Sequence, residues 1–169
     1  MNAEWISAFA AVATFVVIAA TAIAAMVQLR HIRSANQLTG LLHFSEIFES
    51  EGFQKAVAFI EQQLLRQLQD PAFVDGLMLP NPDRRAHPEL VVCDFLEQQG
   101  SYVKFGMIDK EQYIDVTGAF VTSMWQQLRE VIAIRRVARS SAAMYENFEY
   151  LASLIQNRAS QETAAFPHR

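Results

Sequence analysis

Cysteine is almost absent: Cys93 stands alone among 169 residues, so no disulfide can close within the chain, and a fold that needs none suits a reducing compartment. Basic charge is also short. A formal net charge of -4 and a pI near 5.5 leave out the strongly basic face on which nucleic-acid binding depends, so nucleic acid is not expected as a partner. The local signatures of common chemistries are missing too. There is no G-x-S-x-G, no P-loop and no G-x-G-x-x-G, which removes the usual marks of acyl transfer, nucleotide hydrolysis and dinucleotide binding. Neither H-E-x-x-H nor C-x-x-C occurs. His31, His43, His87 and His168 lie too far apart for a local metal motif, and no metal or other cofactor is expected. Cys93, on an apolar helical stretch, reads as a small buried hydrophobe rather than a nucleophile, and no residue is assigned a catalytic role.

One absence is informative in itself: no charged residue occurs from Ile6 to Leu29. As a helix this run reaches about 36 Å, more than the ~30 Å hydrocarbon layer of a bilayer. Trp5 heads the run, where an indole can bury its ring and still find a partner for its N–H. Arg30, His31 and Arg33 follow it, whereas only Glu4 and the terminal amine precede it. Positive flanks stay inside, so the expectation is a single span of the inner membrane with the N-terminus outside and the rest in the cytoplasm. Trp5, Arg30 and Arg33 would anchor it at the two interfaces. The competing reading is a cleaved signal peptide, suggested by Ala20-Thr21-Ala22, but such a peptide wants a basic start and a shorter apolar core. Within the run, Ala3, Ser7, Ala10, Thr14, Thr21, Ala24 and Gln28 recur at steps of three, four or seven and form one stripe. Small side chains admit a neighbouring helix closely, so besides the lipid bilayer a partner transmembrane helix or membrane protein complex is expected. Tolerance of alanine at a lipid-facing surface is the bland alternative.

Strand signals are scarce after the anchor, and helical periodicity is common. The fold class expected is all-α: one N-terminal transmembrane helix, then a compact cytoplasmic bundle of four to six helices. Phe53, Val57, Ile60, Leu64 and Leu68 trace one apolar stripe. Asp70-Pro71 reads as an N-cap with Pro at the first helical position, and Gly76 as the close of a short turn. Residues 79–88, with three prolines, two arginines and an aspartate, read as a loop. Gly106 suits a helix end, Asp109 an N-cap with Gln112 as capping-box partner, and Ser140 or Ser141 the cap of a last helix. The organisation predicted is an anchor over 1–33, a helical domain over 34–157 and a flexible tail over 158–169.

Phe95-Leu96-Glu97-Gln98-Gln99-Gly100, Gly106-Met107-Ile108-Asp109, Trp125 and Tyr145-Glu146-Asn147-Phe148-Glu149-Tyr150-Leu151 carry a resemblance. Over Leu90 to Ala152, and in the order of a membrane helix followed by further helices, the chain resembles a bacterial family of small membrane-anchored helical proteins known only as a domain of unknown function. The loop from Asp70 to His87 has no counterpart there. The resemblance implies a fold and an address, and no chemistry.

Asp94, Glu97, Ser101 and Lys104 share one helical face. Two carboxylates so placed would do acid–base work if an apolar wall raised one pKa, but such a face is more often solvated or salt-bridged. The expectation is structural ion pairing between the acidic Asp94, Glu97, Glu146 and Glu149 and the basic Arg129, Arg135 and Arg136, with Arg139 completing the cluster. Anionic lipid headgroups are a second possible partner for these arginines. The role expected is a non-enzymatic accessory or assembly subunit that docks its membrane helix on a larger complex and stabilises it from the cytoplasm. The alternative is a tethered sensor or effector, in stress or phage defence, binding a small ligand between its helices.

Overall fold

A long apolar run without proline or glycine has nothing to interrupt intrahelical hydrogen bonding. In the computed structural model, which describes residues 3–165 and their side chains over 10–29 and 45–161, it begins α1, Ala3–Glu49. Six shorter helices follow: α2 (Glu51–Phe59), α3 (Leu65–Gln67), α4 (Pro71–Met78), α5 (Glu89–Lys104), α6 (Lys110–Arg139) and α7 (Glu146–Ala165). No strand occurs among the described residues, so the all-α expectation holds. The chain divides into two units, Met1–Gly40 and Leu41–Arg169, where the sequence suggested 33/34.

In the first unit, residues Ala10–Leu29 have a mean hydropathy of 2.4 and none is buried within the chain. This is one helix long and apolar enough to cross a membrane.

The second unit is built around α5, which packs against α2, α6 and α7. Its position explains its composition. Leu90, Val92, Cys93, Phe95, Leu96 and Val103 are all buried, too many for a one-sided amphipathic helix and suited to one enclosed by others. Ser50 caps α2 by accepting from Phe53 N–H, and the helix then widens into a π-helical turn over Ile60–Leu64. Ile60 and Leu64 stay buried through that turn, while Leu65 emerges into solvent. Phe53 sits edge-on to Phe95 with ring centroids 4.9 Å apart, and Phe48, in the last turns of α1 that belong to this unit, edge-on to Phe120 at 5.0 Å. Trp125 of α6 meets Phe148 of α7 in the same way, at 5.2 Å.

Local caps follow the sequence closely in two places. Asp70 accepts from Ala72 N–H ahead of Pro71, and Asp109 accepts from Glu111 and Gln112 N–H. Gly106, at φ +68°, ends α5 in the left-handed conformation that glycine adopts without strain. Three expectations are corrected. Gly76 lies inside α4 rather than closing a turn, for a packing reason given below. Ser140 is the left-handed terminator of α6, at φ 48°, and neither it nor Ser141 caps α7. The last helix also runs past the predicted start of the tail to Ala165, with Arg158 tied to Asp115 at 2.7 Å and to Glu111 at 3.5 Å.

Gly100 does not weaken α5 as its propensity suggests. It sits where α5 touches the backbone of α7, and a Cβ there would collide with the carbonyl oxygen of Asn147. The absence of a side chain is what lets the two helices meet. Gly100→Ala is therefore expected to force α5 and α7 apart and to lower stability by about 3 kcal/mol, read as a shift in the denaturant midpoint. An unchanged midpoint would remove the close approach from the account.

Candidate functional site

The first turn of any helix leaves N–H groups without intrahelical partners; in α7 the Glu146 N–H reaches back to Ala143 O, while those of Asn147 and Phe148 need an acceptor from elsewhere. A residue fifty positions earlier supplies it. The Glu97 carboxylate, half-buried on α5, accepts from Asn147 N–H at 3.0 Å, Phe148 N–H at 2.9 Å and the Asn147 side-chain amide at 2.7 Å. A negative charge at a helix N-terminus is also favoured by the helix dipole. Gly100, one turn further along α5, makes room for this contact. Lys104 completes the face by donating to Glu146 at 3.2 Å and to the Asn147 side-chain oxygen at 3.1 Å.

Asp94, at the other end of the same face, accepts from the Tyr145 hydroxyl at 2.9 Å and pairs with Arg84 at 2.9 Å. Tyr145 is held at φ 60°, a strained conformation for a bulky residue, by this bond and by burial of its ring. Burial also pushes its phenol well above the usual tyrosine range. Arg136 donates to Glu149 at 2.6 Å and to the Met144 carbonyl at 2.9 Å.

A second polar group lies where the 79–88 segment meets the bundle. Arg135, almost fully buried, donates to the Leu77 and Leu79 carbonyls, and Arg139 donates to Pro80 O at 3.3 Å. His87 and Glu89 are buried side by side, with Nδ1 and Oε1 3.1 Å apart. The His87 ring packs on Phe73 at a centroid distance of 4.5 Å, and a Cβ at Gly76 would come within 2.5 Å of its Nε2, so glycine in α4 is a seat for that ring. The second Glu89 oxygen has no partner among the described residues. Burial pushes the Glu89 carboxyl up to about 7, against smaller lowering effects from its own backbone N–H and from Arg84. Burial, and then the Arg135 charge, push the His87 imidazole down.

The predicted ion-pair residues thus separate into different roles. Arg136 meets Glu149 and Glu146 meets Lys104, whereas Asp94 finds Arg84 rather than a member of the α6 cluster. Glu97 and Arg135 meet backbone groups instead of opposite charges. Arg129 is exposed, with no ion pair among the described residues. In α1, Ala10, Thr14, Thr21, Ala24 and Gln28 are exposed, and the Thr14 and Thr21 hydroxyls donate to Ala10 O and Val17 O of their own helix. The side chains of Ala3, Trp5, Ser7, Arg30 and Arg33 lie outside the described residues. Sequence reasoning gave Arg84, His87 and Glu89 no role beyond the loop composition of 79–88, and marked Tyr145 only as part of the family resemblance, because the partners that define them lie far away in the chain. Among the described residues no group of three or more His, Cys, Asp or Glu side chains is arranged to hold a metal ion.

Residues 15–154 match one family, described as a domain of unknown function (DUF4760). No curated protein and no solved structure matches the chain.

Two predictions follow from the polar contacts. Glu97→Ala strips the N-terminus of α7 of its acceptor and is expected to cost about 1–3 kcal/mol in chemical unfolding, with Glu97→Gln recovering part of it because one acceptor oxygen survives. Equal stability of all three proteins would refute the capping role. Glu89, raised from 4.5 to about 7, binds its proton more tightly folded than unfolded, so its contribution to stability is complete below pH 4.5 and declines as pH rises toward 7. The lowered His87 acts in the opposite sense below its ordinary value of 6.5. The difference in unfolding free energy between the parent and Glu89→Gln, measured across that range, isolates the carboxyl; a flat difference counts against its burial as an acid.

Proposed function

This chain belongs to the DUF4760 family, and from that premise we propose that it is a single-pass membrane protein of non-enzymatic, accessory type. In this reading α1 crosses the inner membrane with its N-terminus outside, packs against a larger membrane protein complex, and lets the helical domain stabilise that complex from the cytoplasmic side. The observation that carries it is the uncovered state of Ala10–Leu29: a run of mean hydropathy 2.4, with no residue buried in the chain, has to find its cover in lipid or in another helix. The stripe of Ala10, Thr14, Thr21 and Ala24 offers a surface for close helix packing. The polar groups of the domain support the accessory role. Glu97 is committed to a helix terminus, Asp94 to Arg84 and Tyr145, and Arg135 to two carbonyls, so the carboxylate pair considered for acid–base work is occupied with holding helices together.

Extraction of the full-length chain in a gentle detergent is expected to bring one stoichiometric membrane partner with it, identified by mass, with the α1 segment intact. Recovery of the chain with no other protein overturns the accessory role. A mature form that begins beyond Thr21 overturns the anchor as well.

A further inference from the structure

Among the described residues no large hydrophobic side chain is more exposed than Leu65, at 77%, more than any in the apolar run of α1. It does not stand on a convex surface. Leu65 lines a groove of about 310 Å³ between the π-helical turn with α3 and the middle of α6, with Ile60, Leu64 and Leu68 on one side and Gln126, Gln127 and Arg129 on the other. An exposed leucine beside a hollow whose wall is part aliphatic and part polar is a knob next to a hole. The wide turn over Ile60–Leu64 places both, since it keeps Ile60 and Leu64 inward while Leu65 faces out.

The charges around the groove suggest what fills it. Glu61, Arg129 and Glu130 line it, and Arg66 follows Leu65 in the chain; all are exposed and without an ion pair among the described residues. A rim of one sign would ask for an occupant of the other. A rim carrying unpaired charges of both signs matches a rotated copy of itself, because a two-fold contact pairs each residue with its complement twice.

We propose that this groove is a self-association surface, in which a second copy of the chain seats its Leu65 in the groove while receiving the first copy's Leu65, with Arg129 of each copy set against Glu61 of the other. A contact that centres on one leucine and one groove per copy is small beside a typical specific interface, so it is weak in dilute solution and strengthens when copies are confined together. The inference does not depend on the accessory role, since the groove belongs to the helical domain alone.

The test uses the purified full-length chain in mild detergent with Gln126→Cys, which puts a thiol at the groove, and a flexible bismaleimide cross-linker. Cys93 is buried and contributes no background. Gln126→Cys is expected to yield cross-linked dimer well above Asn157→Cys, a control on the exposed surface of α7. Adding Leu65→Asp, a change at an exposed site that leaves thermal unfolding unaltered, weakens association at least about tenfold. Arg129→Glu lowers the yield, and combining it with Glu61→Arg restores it. Cross-linking no greater than the control, insensitivity to Leu65→Asp, or failure of the double reversal to restore it overturns the proposal. A different protein or a small molecule as the groove's occupant would leave the purified chain monomeric, and that result overturns it too.

Discussion

The helical domain turns on one carboxylate reaching across to a helix that is not its own. Glu97 of α5 supplies the N-terminus of α7 with the acceptor that its own sequence lacks, and Gly100 lets the two backbones approach closely enough for the bond to form. Each half requires the other. Without the glycine the carboxylate stands too far away, and without the carboxylate the approach would bury unsatisfied N–H groups. Several neighbouring features follow from this joint: Tyr145 accepts a left-handed backbone just before α7, Lys104 ties down Glu146 and Asn147, and Phe148 enters the core against Trp125.

Around this joint the domain uses its charged residues mainly to fix backbone. Arg135, Arg139 and Arg136 all donate to carbonyls, at Leu77 and Leu79, at Pro80 and at Met144. Guanidinium suits such work because it offers several donors in a rigid plane and stays charged when desolvated. The proline-rich 79–88 segment, which has few backbone bonds of its own, is thereby held at its start by α6 and at its end by Arg84 on Asp94 and by the buried His87–Glu89 pair.

What could be read from the sequence divides by distance along the chain. The apolar run of α1 and the caps at Asp70 and Asp109 were legible because each depends on residues within a few positions of one another. The family resemblance also held, over a segment now seen to contain both sides of the α5–α7 joint. The face of Asp94, Glu97, Ser101 and Lys104 was visible as a face, but its partner was not. Periodicity reports which residues point together, not what lies opposite, and charge alone suggested arginines where backbone N–H groups stand. Ser140 and Ser141 misled for the same reason, since a distant carboxylate supplied the cap that local composition seemed to offer. Ala159 to Ala165 read as a tail because it is small and polar, yet alanine, glutamine and glutamate carry a helix well once Arg158 has fastened it to α6.

The threonines of α1 make one point about how that helix meets its surroundings. Thr14 and Thr21 return their hydroxyl protons to carbonyls one turn back, so neither has a donor left to offer sideways. Whatever lies against Ala10, Thr14, Thr21 and Ala24 of this stripe therefore encounters mainly methyl groups. Recognition along it would be a matter of contour, how deeply a ridge fits a furrow, and discrimination between neighbours would come from clashes rather than from matched polar groups.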